Sequence, residues 1–292
     1  MRALLIHHKK AGDGTVSRKA LTAAMKKAGW KVDYLARKKA DAGAIAEAGA
    51  DLVAVAGGDG TVAAIVKLLP NRSIPLAIIP TGTANNIARS LGICGEPADA
   101  VAEWDMERRR RLDIGTAHGP WGDRAFVEGI GFGAFAESLR VVTECEEAGE
   151  ECPTGTDALR TAVRESAPLP LEIEVDGKPV PDGLLMLEVM NIELTGPRLP
   201  FAPHAQPGDG MLHISWLPAS RRAAMVRWLD KGDGDPPVEQ RTGREIKVTG
   251  GGAMMRIDDQ ACWLETGSEV TIRLEGEPVQ ILAPADAPAL AG

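Results

Sequence analysis

Cysteine is scarce in this chain of 292 residues: there are four (Cys94, Cys145, Cys152, Cys262), and none has metal-type spacing. That excludes a zinc framework, and a chain of this length can bury a core without disulfides, so Cys145 and Cys152, the nearest pair, are expected to be reduced. Long apolar runs are lacking as well. Nothing approaches the roughly 20 residues needed to span a bilayer, and the run after Met1 is too short for a signal peptide. An excess of basic charge is also absent, because the net charge is −8, and no nucleic-acid partner is expected. There is no internal repeat. With 44% hydrophobic and 25% charged residues, these absences leave a globular, cytoplasmic protein with room for two domains. Oligomeric state is not legible.

What the chain does contain is concentrated in residues 51–90, DLVAVAGGDGTVAAIVKLLPNRSIPLAIIPTGTANNIARS. Two short unbroken apolar runs, Leu52–Ala56 and Pro75–Ile79, read as buried parallel strands. Each leads into a glycine loop, Gly57-Gly58-Asp59-Gly60-Thr61 and Thr81-Gly82-Thr83-Ala84-Asn85, and then a helical stretch. Glycine lets the chain turn sharply there and lets a ligand approach the amides. The helix behind each loop aims unpaired N–H groups and its positive pole into the loop. One helix and one strand separate the loops. Both should therefore lie on one sheet edge, at the carboxyl ends of parallel strands, where open α/β folds bind ligands. A phosphate chain fits that chemistry. The bland alternative is plain turn chemistry at Asp59-Gly60 and Gly82-Thr83.

Taken in order, Arg2–His7, Lys31–Leu35 and the two runs above read as strands, with helices across Val16–Ala28 and Ala40–Ala48. Repeated βα units predict a parallel sheet. Lys9 and Lys10 read as solvated loop charges rather than phosphate contacts. His7 and His8 face opposite sides of their strand and read as incidental. Pro97–Met106 reads as a helix and Arg108–Arg111 as its solvated, cation-favouring end; contact with anionic lipid headgroups is the sharper alternative. From Leu112 onward strands dominate, ending with Val279–Leu282, and helices are expected at Ala134–Ala148, Thr156–Glu165 and Arg221–Leu229. Gly129-x-Gly131-x-Gly133 is a weak nucleotide fingerprint, since its third glycine is misplaced.

Gly57–Thr61 together with Pro80–Arg89 resembles the catalytic domain of diacylglycerol kinases, a family that includes sphingosine kinases and bacterial lipid kinases. The resemblance implies an α/β nucleotide-binding domain (residues 1–111) with a parallel sheet. A β-rich, antiparallel, sandwich-like acceptor domain (112–282) and a tail without fixed structure (283–292) would follow. It implies ATP and Mg²⁺ as cofactors, a lipid substrate and transient contact with a membrane surface. Gly57, Gly58, Asp59, Gly60, Thr61, Thr81, Gly82, Thr83 and Asn85 would bind the nucleotide. Asp59 and Asp209 (in Pro207-Gly208-Asp209-Gly210) would serve the metal, and Asp59 and Asp258 would be catalytic, with Asp258 as base on the lipid hydroxyl. Phosphoryl transfer needs those parts: held phosphates, an in-line hydroxyl and a carboxylate for its proton.

The chain departs from the family pattern at several acids. Ala11-Gly12 survives after the first strand, but the usual Asn-Pro does not. Asn86 stands where aspartate is frequent, Gly208 where a second acid is common, and Asp258-Asp259-Gln260 where Asp-Gly-Glu is usual. Each lost carboxylate removes a charge that serves Mg²⁺ or its water shell. A fold that kept nucleotide or lipid binding and lost catalysis is therefore the rival expectation. A NAD kinase-like activity shares the first loop but lacks the second in this form.

Overall fold

The structure is a computed structural model, and residues 1–284 are described. The expected tail lies, from residue 285, outside the described residues. The chain divides into two compact units. One comprises residues 1–114, 206–209 and 276 onward; the other comprises 115–205 and 210–275.

In the first unit the apolar runs become strands and the amphipathic stretches become helices. These are β1 (Arg2–His7), α1 (Arg18–Lys27), β2 (Lys31–Ala36), α2 (Ala42–Glu47), β3 (Leu52–Gly57), α3 (Asp59–Leu68), β4 (Leu76–Pro80), α4 (Asn86–Ser90), α5 (Pro97–Ala102) and β5 (Arg109–Leu112). Strands β2-β1-β3-β4 pair in parallel in that order. Every residue of β3 and β4 is buried, which is why both read as unbroken apolar runs, whereas edge strand β2 is only half-buried. Ser17 and Asp41 start α1 and α2 by accepting the N–H groups of Ala20 and Ala44, each cap contributing about 1 kcal/mol. Leu5, Leu21, Met25, Leu52 and Ile79 form the core beneath α1.

The second unit is built on antiparallel strands. In order they are β6 (Gly115–Gly119), β7 (Gly122–Phe126), β8 (Gly129–Gly133), α6 (Ala134–Ala148), α7 (Gly155–Glu165), β9 (Leu171–Val175), β10 (Lys178–Pro179), β11 (Leu184–Met190), β12 (Leu212–Pro218), α8 (Arg222–Lys231), β13 (Glu239–Gly243), β14 (Glu245–Gly250), β15 (Ala253–Ile257), β16 (Gln260–Leu264) and β17 (Ser268–Leu274). They form two six-stranded sheets, β10-β9-β14-β17-β6-β7 and β13-β12-β11-β8-β15-β16. Phe126, Ile173, Val189, Ile214, Ile246 and Met255 fill the core between them. A second core, around Phe135, Leu159, Phe201 and Leu217, joins the outer face of the second sheet to α6, α7 and α8. Strand β11 is buried at all seven residues because both of its faces are covered. Strand β6 escapes sequence reading because its glycine looks like a turn. Gly115 in fact sits under the Phe126 ring, where a Cβ would fall 1.9 Å from the ring edge.

Three expectations need correction here. The last strand, β18 (Val279–Leu282), was expected in the second domain but joins the first sheet, parallel to β4 and antiparallel to β5. The Arg108–Arg111 quartet was expected as a solvated helix end but enters β5, with Arg110 buried and donating to the Leu91 carbonyl at 3.0 Å. Helix α5 stops at Ala102 because Trp104 turns back onto Trp30, ring centroids 6.0 Å apart. Finally, Cys145 and Cys152 form a disulfide rather than free thiols. Gly149, at φ 71°, ends α6 in the left-handed region and folds the chain back, bringing the two Cα atoms to 5.6 Å.

His118 on β6 bridges two carboxylates, with Nδ1 2.8 Å from Asp123 Oδ1 and Nε2 2.9 Å from Glu275 Oε1. Donating from both nitrogens requires the imidazolium, and the bonds to Asp123 and then Glu275 raise its pKa. Its stabilising contribution is therefore complete below the unfolded value of about 6.5 and is lost as pH rises through the higher folded value. Urea midpoints should fall over that rise more steeply for the natural chain than for His118→Gln. Parallel pH profiles would show that the bridge carries no stability.

Candidate active site

The carboxyl ends of β1, β3 and β4 bring three glycine-bearing loops together. His8 N–H donates to Ala56 O at 2.9 Å, and Thr81 N–H donates to Gly57 O at 3.1 Å, so the chains leave the sheet side by side. Beyond that point they touch through backbone. A Cβ on Gly82 would fall 2.4 Å from Gly58 Cα, and one on Gly12 would fall 2.4 Å from Thr81 O. The glycines are thus required for close approach between loops, apart from any ligand. Gly57 has a further reason, since a Cβ there would meet Thr61 at 2.5 Å.

Each residue expected to bind nucleotide lies on this edge, but their tasks differ. Asn85, at φ 55°, folds its side-chain amide onto Gly82, accepting its N–H at 2.9 Å and donating to its carbonyl at 2.8 Å. It shapes the loop from inside. Thr61 is buried, with Oγ1 3.1 Å from His8 Nδ1. Gly58, Gly60, Gly82 and Thr83 remain at the rim. His8, read as incidental, therefore belongs to the site. His7 points the other way, buried edge-on to Tyr34 at 6.3 Å, and burial lowers its pKa.

Asp59 opens α3 but does not cap it. Its Oδ1 accepts the Ile87 N–H at 2.9 Å, and the amides of Asn86 and Asn85 also favour the carboxylate. It is a strut from the first loop to the start of α4. Burial pushes its pKa up against the pull of those amides. Helix α4 therefore spends its first N–H groups on Asp59, whereas the N-terminus of α3 carries no side-chain cap.

Asp209, the other expected metal residue, lies elsewhere in the first unit. It is exposed in a turn whose Gly208, at φ 88°, packs on Arg111; a Cβ there would fall 2.5 Å from the Arg111 carbonyl. Arg111 is opposite Gln280, and the next residue, Ile281, is opposite Leu76 at the start of β4. The glycine loops leave the far end of β4, about 16 Å further along the strand direction. Asp59 and Asp209 are not brought together. Among the described residues no group of three or more His, Cys, Asp or Glu side chains is placed to hold a metal.

In the second unit Asp258 lies in the two-residue turn between β15 and β16, since Ile257 pairs with Gln260. It is 4% exposed, at φ 51°. Its Oδ1 accepts the N–H groups of Val127 (2.9 Å), Glu128 (2.8 Å) and Gly129 (3.4 Å), and Oδ2 accepts that of Val127 at 3.2 Å. Arg256 donates to the Asp258 carbonyl at 2.8 Å and binds Glu188 Oε2 through Nε (3.0 Å) and Nη2 (2.6 Å). Both side chains of that pair are fully buried, the guanidinium 4.9 Å from the Phe135 ring centroid. This pair explains Gly131 of the Gly129-x-Gly131-x-Gly133 stretch, which is strand β8 and not a nucleotide loop. A Cβ on Gly131 would fall 2.2 Å from Glu188 Oε1, and those on Gly129 and Gly133 would strike carbonyls of β11.

Comparison with known proteins bears directly on this arrangement. Residues 2–117 match the family described as the diacylglycerol kinase catalytic domain. The chain is 30% identical over 226 residues, 74% of its own length and 71% of the relative's, to "Probable lipid kinase YegS-like" of Pseudomonas aeruginosa strain UCBPP-PA14. The chain belongs to the diacylglycerol kinase family of lipid kinases. A solved diacylglycerol kinase from Bacillus anthracis str. Sterne shares the fold at TM-score 0.66, with 21% identity and 98% of each chain covered. A NAD kinase from Archaeoglobus fulgidus in complex with ATP shares it at TM-score 0.57, with 15% identity, covering 98% of this chain and 95% of that one.

For a member of this kinase family, two observations test the fit of a nucleotide. The three loops form a glycine-walled rim beside the α3 N-terminus, and among the described residues the buried Thr81 Oγ1 has no hydrogen-bond partner. Both suit a phosphate chain. The fit to Mg²⁺ is poorer. Asp59 is the carboxylate at the rim, and its Oδ1 is already engaged. Among the described residues no cluster of three or more acidic, His or Cys side chains stands ready for it. Two helpers went unread in the sequence. Gly12 was noted only as a surviving family glycine, and the Glu188–Arg256 pair left as signal only a charge within each apolar strand.

Proposed function

We propose that this lipid kinase transfers the γ-phosphoryl group of ATP, supplied as its magnesium complex, to a hydroxyl of diacylglycerol or a related lipid. The observation that carries the reading is the backbone contact between the Gly58 and Gly82 loops beside the free N-terminus of α3. The phosphates would rest on the amides of Gly58 and Gly60 and on the Thr81 hydroxyl, with Asp59 keeping the two loops in register. Magnesium, when bound, neutralises charge on the phosphates; it would be held chiefly by them, as Mg²⁺ usually is. Asp258 would take the proton of the lipid hydroxyl, its carboxylate oriented by the turn amides.

The second reading is a binding protein that no longer transfers phosphate. It is favoured by the same amides, which give Asp258 a full structural task, and by Gln260, which cannot share a proton as glutamate can. Labelled γ-phosphate, Mg·ATP and mixed micelles of diacylglycerol, monoacylglycerol or sphingoid bases separate the two. A labelled diacylglycerol product is expected. ATP binding without any labelled lipid would leave the second reading in place.

A further inference from the structure

Glu188, Gly131 and Arg256 occupy one row across three neighbouring strands. Gly131 of β8 is opposite Glu188 of β11 on one side and Arg256 of β15 on the other. The two charged side chains meet over the glycine, and the Phe135 ring of α6 lies against the guanidinium. The fold thus sets aside three positions for one ion pair: two carry the charges, and the third stays glycine so that they can touch.

Stability does not account for this device. Both side chains are fully buried, and removing two charges from water offsets what their attraction returns. One oxygen is left unserved as well, since among the described residues Glu188 Oε1 has no hydrogen-bond partner. Apolar side chains in such places are often as stable as the ion pair, or more so.

What the pair does supply is a fixed arm. Glu188 Oε2 holds Nε and Nη2 of the planar guanidinium, which leaves Nη1 aimed at the Asp258 carbonyl, 2.8 Å away. Nη2 also lies 3.5 Å from the sulfur of Met190 at the end of β11. The next residue, Asn191, donates its backbone N–H to the Glu128 carbonyl at 2.9 Å and its side-chain amide to the Val127 carbonyl at 2.8 Å. Val127 and Glu128 in turn give their own N–H groups to the Asp258 carboxylate. Asp258 is therefore gripped twice from β11: at its carbonyl through Arg256, and at its carboxylate through Asn191 and the turn before β8.

We propose that Glu188 and Arg256 are positioning residues for Asp258, fixing the angle at which its carboxylate rests on the amides of Val127 and Glu128. What Asp258 does there rests on the kinase reading; how it is held does not.

Replacing both charges together, Glu188→Leu with Arg256→Met, tests the proposal. The double variant should melt at or above the natural temperature. Hydrogen exchange at the Val127 and Glu128 amides should quicken about tenfold, as for the loss of one hydrogen bond, while exchange at Leu187 and Val189 within β11 stays as it was. Turnover of Mg·ATP with diacylglycerol micelles should fall about a hundredfold, the cost of a misplaced reacting group. Both KM values should change less than about twofold, because the contact serves the transition state and not ground-state binding. In an Asp258→Asn chain the double replacement should cost no further turnover, since the residues act as a unit. Should the double variant not fold, Arg256→Lys, which keeps the charge but cannot fork to Glu188 and Asp258 together, is read in the same way. Natural exchange at the Val127 and Glu128 amides in a folded variant overturns the proposal, as does exchange that quickens equally along β11. So does a further loss of turnover in the Asp258→Asn chain. If the natural chain transfers no phosphate, the kinase reading fails, and the exchange rates alone decide this one.

Discussion

The Gly82→Ala protein is expected to remain folded and to bind ATP ten- to a hundredfold more weakly than the natural chain. The added Cβ would fall 2.4 Å from Gly58 Cα and 2.9 Å from Asn85 Oδ1. Neither neighbour can swing aside: one is backbone, and the other is tied to the Gly82 amide. The loops must separate instead, and overpacking of this kind costs roughly 1–3 kcal/mol, which is about ten- to a hundredfold in affinity. Backbone strain is not the cause, because Gly82 does not occupy the left-handed region. Calorimetric titration with ATP, beside a thermal melt, reads both halves of the expectation. Undiminished affinity in a folded variant would mean that the contact between loops does not build the phosphate site.

Asp258→Asn should lower turnover by roughly 10²- to 10⁴-fold, the usual contribution of a positioned base, with ATP affinity changed less than about twofold. Asparagine keeps an Oδ1 for the amides of Val127, Glu128 and Gly129 and gives up the longer Oδ2 contact at 3.2 Å. The turn should therefore survive. Asp258→Ala is a different experiment. It strips the buried amides of their acceptor, at about 1–3 kcal/mol for each group left unsatisfied, and is expected to destabilise the second unit outright. Natural turnover in the asparagine variant would reduce Asp258 to a scaffold of the β15–β16 hairpin. Turnover that falls only in step with the melting temperature would say the same.

The parallel sheet was legible because its central strands are buried on both faces, which leaves unbroken apolar runs such as Leu52–Ala56 that few other structures produce. The glycine loops were legible for a related reason: backbone contact excludes side chains, so Gly57, Gly58 and Gly82 appear in the letters themselves. Helices α6 and α7 came within a residue of their expected limits, the second through its Thr154 cap.

What the sequence by itself determined is local in origin: which segments are strands or helices, where the chain must turn on glycine, and membership of a lipid-kinase family through two loops and their spacing. Tertiary structure decided the matters that join distant residues. It sent Asp59 to the start of α4 rather than to its own helix, and Asp209 to β5. It returned β18 to the first sheet and used Gly131 of β8 to house a buried ion pair. A carboxylate reads the same in sequence whether it faces water, a metal or three amides. Only the packing of the chain chooses its partner, and that choice depends on contacts far apart along the chain.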